Sequence, residues 1–359
     1  MDMKPEDYAI EIMLNRNLTF SSMKTFRHTL NHYSQLNEMN IGELLKEAEE
    51  EEEQGIRWKK RKLRTRLIRY QNWLLENYKY NTAKNYMTKL KTFYYDYDIE
   101  IGKLPPFNKK QAHLSEPITY DDLPNKETLR RAYSMGTPVF KAILLFTISS
   151  GCGKQEVLNL KLDDYYEWID GKDPYAEDIV PIIKLKRQKT NKYYTTFASP
   201  EAIREIATYL ETRHDQDPRL FKVSYRHLTS LFINMNNRLG LGTVNNTSHL
   251  RMHMLRKWHA SRLYNAENGL SLNEIDSLQG RTKQTVQQSY YFDNTEELRK
   301  KYIRNIDQVT ILDTVHTITV DSPEVEMLKE KAEKIDELEK LVKKIMEKNQ
   351  GSSPNTLKS

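Results

Sequence analysis

Apolar residues recur at helical spacing through most of the first hundred positions. In SSMKTFRHTLNHYSQL the stripe is Met23, Phe26, Leu30 and Tyr33, and in NTAKNYMTKLKTFYYDY it is Tyr86, Leu90 and Phe93. Short polar or glycine breaks divide this region into predicted helices at 5–15, 20–36, 40–53, 57–78 and 81–96, the last opening on Asn81 as its cap. The stretch GKLPPFNKKQAHLSEPITYDDLP then brings four prolines and loses the periodicity. A helical domain over 1–101 therefore gives way to a linker over 102–118.

The pattern changes in the second half. TPVFKAILLFTISSG reads as a helix with Thr137 at the N-cap and Pro138 in the first turn. IVPIIKLKRQKTNKYYTTFAS is rich in Ile, Tyr and Thr around a KTN turn, which predicts a β-hairpin. SPEAIREIATYLETR restores helix, with Ser199 as cap and Pro200 at the first position, and helices continue to about 308. DQVTIL and VHTITV read as a short strand or a tail, and a second domain covers 119–315. Beyond it, Leu328, Ile335, Leu338, Val342 and Ile345 form a heptad seam interrupted by Lys331, which predicts a C-terminal helix over 322–350 and a short self-associating coiled coil. The fold class is mainly α with a small β-hairpin, an α+β arrangement without internal repeats.

Composition narrows the classes of function. The chain of 359 residues is 38% hydrophobic and 30% charged with 22 tyrosines, the balance of a folded protein. No apolar run reaches membrane-spanning length, and MDMKPEDYAIEIM lacks the apolar core of a signal peptide, so a cytoplasmic protein without membrane contact is expected. The single cysteine, Cys152, excludes an internal disulfide framework and argues against a cysteine-rich zinc site. No phosphate-binding GxxxxGK[ST] loop and no acidic or histidine cluster of ligand spacing occurs, so neither a cofactor nor a metal is expected. Net charge is only +6, but RWKKRKLRTRLIR at 57–69 gathers eight basic residues directly after EAEEEEEQG. Such blocks are often solvated faces. With Trp58, Tyr70 and Trp73 interleaved, this one equally suits nucleic-acid phosphates.

Candidate chemistry concentrates in the second domain. In HMLRKWHASRL, His253 and Arg256 stand three apart and so project from one side of a helix, a proton carrier beside a fixed cation. His259 lies in the more apolar part of the same helix and reads as structural. Lys189 sits at the hairpin turn, with Lys184, Lys186, Arg187 and Lys192 nearby. Lys154 follows Gly153 in SGCGKQE, and Tyr290 stands nine residues after Arg281, with Tyr291 as its rival.

Taken in order, SSGCGKQEVLNLKLDD, KLKRQKTNKYYTTF, HMLRKWHASRL and LQGRTKQTVQQSYYF resemble the catalytic domain of tyrosine recombinases, and more narrowly the integrases of archaea and their viruses and plasmids. The resemblance covers roughly 117–310, and the helical first domain is similar to the family's core-binding domain. It implies a DNA integrase that cleaves and rejoins double-stranded DNA through a 3′-phosphotyrosyl link, without metal or ATP, as a tetramer on DNA. Tyr290 would be the nucleophile, and Arg256 would grip the scissile phosphate through two parallel N–H donors. His253 would hydrogen-bond that phosphate or carry the tyrosine proton, and Lys189 would protonate the leaving 5′ oxygen. Two positions depart from the common pattern T-G-L-R-x-x-E. Gly153 and Lys154 stand where an arginine is usual, leaving Lys154 as the substitute and Glu156 as the orienting acid. Arg281 replaces a histidine or tryptophan and donates hydrogen bonds without shuttling protons. A catalytically weakened, DNA-binding descendant and a type IB topoisomerase-like strand transferase are the alternatives. A coiled-coil adaptor accounts for the C-terminal helix but not for the ordered motifs.

Overall fold

The computed structural model describes residues 3–107, 116–188, 191–281 and 294–312. The expected C-terminal helix at 322–350 lies outside the described residues, and so does VHTITV. The chain divides into two compact units, 1–117 and 118–359.

The first unit is all helical, with α1 (Pro5–Asn15), α2 (Phe20–Asn37), α3 (Ile41–Glu53), a 3₁₀ turn (Trp58–Lys60), α4 (Lys62–Asn77) and α5 (Tyr80–Asp96). The stripe read from sequence is its core: Met23, Phe26, Leu30 and Tyr33 of α2 are buried with Leu67, Tyr70 and Leu74 of α4 and Leu90 and Phe93 of α5. Two expectations need correction. The predicted 57–78 helix is split, because the 3₁₀ turn ends at Lys60 and α4 starts afresh at Lys62. Asn81 is not a cap, since α5 begins at Tyr80 and the backbone N–H groups of Thr82 and Ala83 both donate to the Lys79 carbonyl. The acidic run before the basic one has a structural use. Buried Glu51 accepts from the N–H of Lys62 at 2.6 Å and of Leu63 at 3.2 Å, satisfying two orphan donors of α4 whose own N-cap, Arg61, makes no side-chain cap. The start of the expected linker packs on this unit: Trp58 donates to the Lys103 carbonyl at 3.1 Å and Gln71 to that of Pro105 at 3.1 Å.

The second unit is built around α7 (Pro138–Ser150), which is apolar on every side and buried along nearly its whole length, as a central core helix must be. Around it run α6 (Lys126–Ser134), α8 (Lys154–Asn159), α9 (Leu162–Ile169), α10 (Pro200–Glu211), α11 (Tyr225–Arg238), α12 (Met252–Tyr264), α13 (Leu272–Leu278) and α14 (Thr295–Arg304). Strands β1 (Ile182–Arg187) and β2 (Lys192–Phe197) form the expected antiparallel hairpin, with Ile182 opposite Phe197 and Arg187 opposite Lys192. Ser199 accepts from the Ala202 N–H and so caps α10 as predicted, with Pro200 at its start. A two-residue hairpin, β3 (Thr243–Val244) with β4 (Thr247–Ser248), was not anticipated; Asn245 and Asn246 make its turn with φ of 53° and 62°. DQVTIL is not a strand. It forms a 3₁₀ turn (Ile306–Gln308) and an irregular end, whose N–H groups at Ile311 and Leu312 donate to the buried Glu201 carboxylate at 3.0 Å each.

Candidate active site

The site is organised by one turn. Gly151 ends α7 in the left-handed region, φ 65°, and a side chain there would also strike the His259 ring, 2.5 Å from an added Cβ. Only glycine suits both demands. The turn presents its carbonyl to α12, where Arg256 donates Nη1 to Gly151 O at 2.5 Å and Nη2 to the Gln279 carbonyl just past α13. Gln279 answers with its side chain, donating Nε2 to the Arg256 carbonyl at 2.9 Å and to His259 Nδ1 at 3.0 Å. An amide nitrogen only donates, so His259 Nδ1 accepts and its proton resides on Nε2. Burial, reinforced by Arg256 and Arg281, drives the His259 pKa down to about 3. It is the neutral packing histidine read from the sequence.

Arg256 is only 5% exposed, yet its hydrogen-bond partners among the described residues are carbonyls, not carboxylates. Burial pulls its pKa down to about 10, and the next cause is a second guanidinium, Arg187. Arg187 leaves the end of β1, lies 3.6 Å from buried Glu156, and reaches the same Gln279 carbonyl at 3.5 Å. Arg281 follows α13 and pairs with Asp276 at 3.2 Å. His253 is exposed on the first turn of α12. Partial burial of its ring, then repulsion from Lys257, Arg251, Arg256 and Arg281, lowers its pKa, so the imidazole is predominantly neutral at pH 7. Lys257 is lowered as well, by burial first and then by Arg251 and Arg281. Several cations thus oppose one another around a buried guanidinium, an arrangement that favours a bound anion.

Of the residues singled out in the sequence, Arg256, His253 and Arg281 fall in one electrostatic neighbourhood. Lys154 takes a different direction. It opens α8, donates to Thr229 Oγ1 of α11 at 3.0 Å and lies 4.2 Å over the Tyr225 ring. Tyr290, Tyr291 and Lys189 lie outside the described residues. Arg187 and Gln279 were not assigned roles. For Arg187 a signal existed: Ile183 and Leu185 are the buried positions of β1, and period-two alternation puts 187 in their register while Lys184 and Lys186 face solvent. Gln279 acts mainly through its backbone carbonyl, which no residue pattern reveals.

No protein-family model matches the chain, and no curated protein matches it in sequence. Solved structures do match in fold. The XerH site-specific recombinase bound to its difH substrate, in a pre-cleavage complex, aligns over 84% of this chain and 82% of its own with 16% identity and a TM-score of 0.50. The Tn1549 transposon integrase in complex with circular intermediate DNA aligns over 83% of this chain and 98% of its own, with 14% identity and a TM-score of 0.50. The chain is therefore similar in fold to tyrosine recombinases. Among the described residues no helix is long and apolar enough to cross a membrane.

Proposed function

We propose that the chain is a site-specific DNA recombinase that works through a 3′-phosphotyrosyl intermediate. One observation carries the reading: a buried guanidinium, Arg256, held by two carbonyls and flanked by Arg187 and Arg281 without a carboxylate partner of its own among the described residues. A phosphodiester is an anion of the right charge and geometry for such a site. In the reaction the Tyr290 oxygen attacks phosphorus and the bond to the 5′ oxygen breaks. The phenol proton passes to His253, and Lys189 gives a proton to the departing oxygen. Charge growing on the non-bridging oxygens meets Arg256 and Arg281, which are already oriented, and Lys154 adds a point charge once its ammonium leaves Thr229 Oγ1 and turns to the DNA. The phosphoester bond energy is kept in the protein–DNA link, so a 5′ hydroxyl from a second duplex reverses the step without a nucleotide. Two duplexes need four such sites, and a tetramer on DNA follows, with the 322–350 segment contributing contacts between subunits. The helical unit adds backbone contacts through its basic stretch.

Incubation with a nicked suicide duplex tests this directly. A covalent protein–DNA adduct forms with the native chain and is abolished in Tyr290→Phe. An adduct that survives in Tyr290→Phe and vanishes in Tyr291→Phe reassigns the nucleophile. DNA binding without any adduct supports the weakened, non-cleaving alternative, which the glycine at 153 favours.

A further inference from the structure

The common pattern places an arginine where this chain has Gly153, and Lys154 beside it directs its ammonium to α11. Yet the space next to Gly153 does not lack a guanidinium. A Cβ built on Gly153 lies 2.3 Å from Glu156 Oε2 and 3.7 Å from Arg187 Nη1. Arg187 therefore sits where a side chain from 153 would emerge, against the carboxylate that such a side chain would meet first. It belongs to another element altogether, arriving from β1 rather than from the turn before α8.

We propose that Arg187 supplies the second phosphate-gripping guanidinium of the site, delivered from the hairpin into the space left open by Gly153. The proposal rests on the recombinase reading above and names a residue for it. Two contacts fix the group. Glu156, itself buried, holds Nη1 at 3.6 Å from one side. The Gln279 carbonyl accepts the same nitrogen at 3.5 Å and also accepts Arg256 Nη2, so one backbone oxygen ties both guanidiniums to one place. The side chain keeps 21% of its surface open, enough for its remaining N–H groups to meet a ligand, whereas Arg256 is nearly sealed. Both Arg187 contacts are long for charge-assisted bonds, so the group is placed but not saturated. Lysine at 154 then needs no two-pronged clamp, because the fork-shaped donor comes from elsewhere.

The test uses the full chain and a nicked suicide duplex, with DNA binding measured separately. Removing one preorganised donor to developing charge costs about 100-fold in rate, and that loss is expected for Arg187→Ala with duplex affinity within about threefold. Arg187→Lys keeps the charge without the fork and recovers part of the rate. Adding Gly153→Arg to Arg187→Ala returns a guanidinium to the same space, after a swing of the flexible Glu156 side chain, and is expected to restore the rate at least about tenfold. An Arg187→Ala rate within about fivefold of native, or a smaller loss than in Lys154→Ala, overturns the assignment, and so does a folded double variant without rescue. If the native chain forms no adduct, the recombinase reading fails on its own. Titration with inorganic phosphate, followed by ³¹P line broadening, then decides the fate of Arg187. Weakening of about tenfold in Arg187→Ala upholds the anion site, and equal binding removes it.

Discussion

Positive charge gathers in two places in this molecule, and the two are built differently. The stretch 57–69 is the denser in sequence, and three of its eight cations are answered locally: Arg61 pairs with Glu52 at 3.5 Å, Arg66 with Glu47 at 2.7 Å, and Lys62 with Glu47 at 3.4 Å. The cluster around α12 is sparse in sequence, drawn from β1, α12 and the end of α13, and its most buried member has carbonyls for partners. Charge that is paired inside the fold serves the fold. A buried cation held only by carbonyls, as Arg256 is, keeps an uncompensated charge in a low-dielectric setting, and that makes it the better candidate for meeting an anion. Density along the chain is thus a poor guide to where an anion binds, and the partners of each cation are a better one.

The sharpest way to break that contrast is at Arg256. Arg256→Lys keeps a charge but loses the fork that bridges Gly151 and Gln279, and cleavage is expected to fall by about 1,000-fold or more, read as the rate of adduct formation. The corresponding change in the paired region, Arg66→Lys, is expected to leave cleavage within about threefold. Comparable losses at the two positions would show that the distinction between paired and unpaired cations has no functional meaning here.

A buried carboxylate offers the opposite case and the next largest effect. Glu201 is 3% exposed, and burial raises its pKa from 4.5 to about 7 against the lowering influence of the Leu312 and Ile311 N–H groups. The folded state therefore binds this proton more tightly than the unfolded chain does. The stability it contributes is fully present below pH 4.5 and is lost as pH rises towards 7, by roughly 3 kcal/mol in all. Denaturant titrations at pH 5 and 7.5 are expected to show that decline in the native chain and to lose it in Glu201→Gln. A native chain with the same slope as the variant would mean that the carboxylate is ionised throughout.

Much of the fold was legible because it depends on period and punctuation. The stripe through Met23, Phe26, Leu30 and Tyr33 and the Ser199–Pro200 start of α10 are local signals that packing respects. The break at Arg61 was not legible, since α4 is capped by Glu51 from eleven residues away, a tertiary event. The same division runs through the site. His253 and Arg256 share a helix and are visible as a pair. The approach of Arg187 to Gly153 depends on how β1 packs beside α8, and backbone carbonyls such as those of Gly151 and Gln279 leave no mark in a sequence.

Within the paired region, Glu51 separates folding from binding. Glu51→Ala strips two N–H groups at the start of α4 of their acceptor, and a loss of about 1–2 kcal/mol is expected in chemical denaturation. Duplex affinity measured well below the unfolding transition should stay within about twofold, since Glu51 is buried and faces the fold. A gain in affinity would instead show that this carboxylate restrains the basic face.

The smallest expected effect bears on the cations of that stretch left over after pairing. Arg57, Lys59 and Lys60 are exposed and, like Arg64 and Arg69, have no ion pair among the described residues. If they touch DNA phosphates, each contact displaces about one counterion, so the double variant Lys59→Ala, Lys60→Ala should flatten the dependence of log affinity on log salt by about 1 to 2. Such contacts carry no sequence information, so the loss should be equal for specific and random duplexes, with the rate of cleavage at saturating DNA preserved. An unchanged salt slope would show that Lys59 and Lys60 are solvated and touch no DNA phosphate.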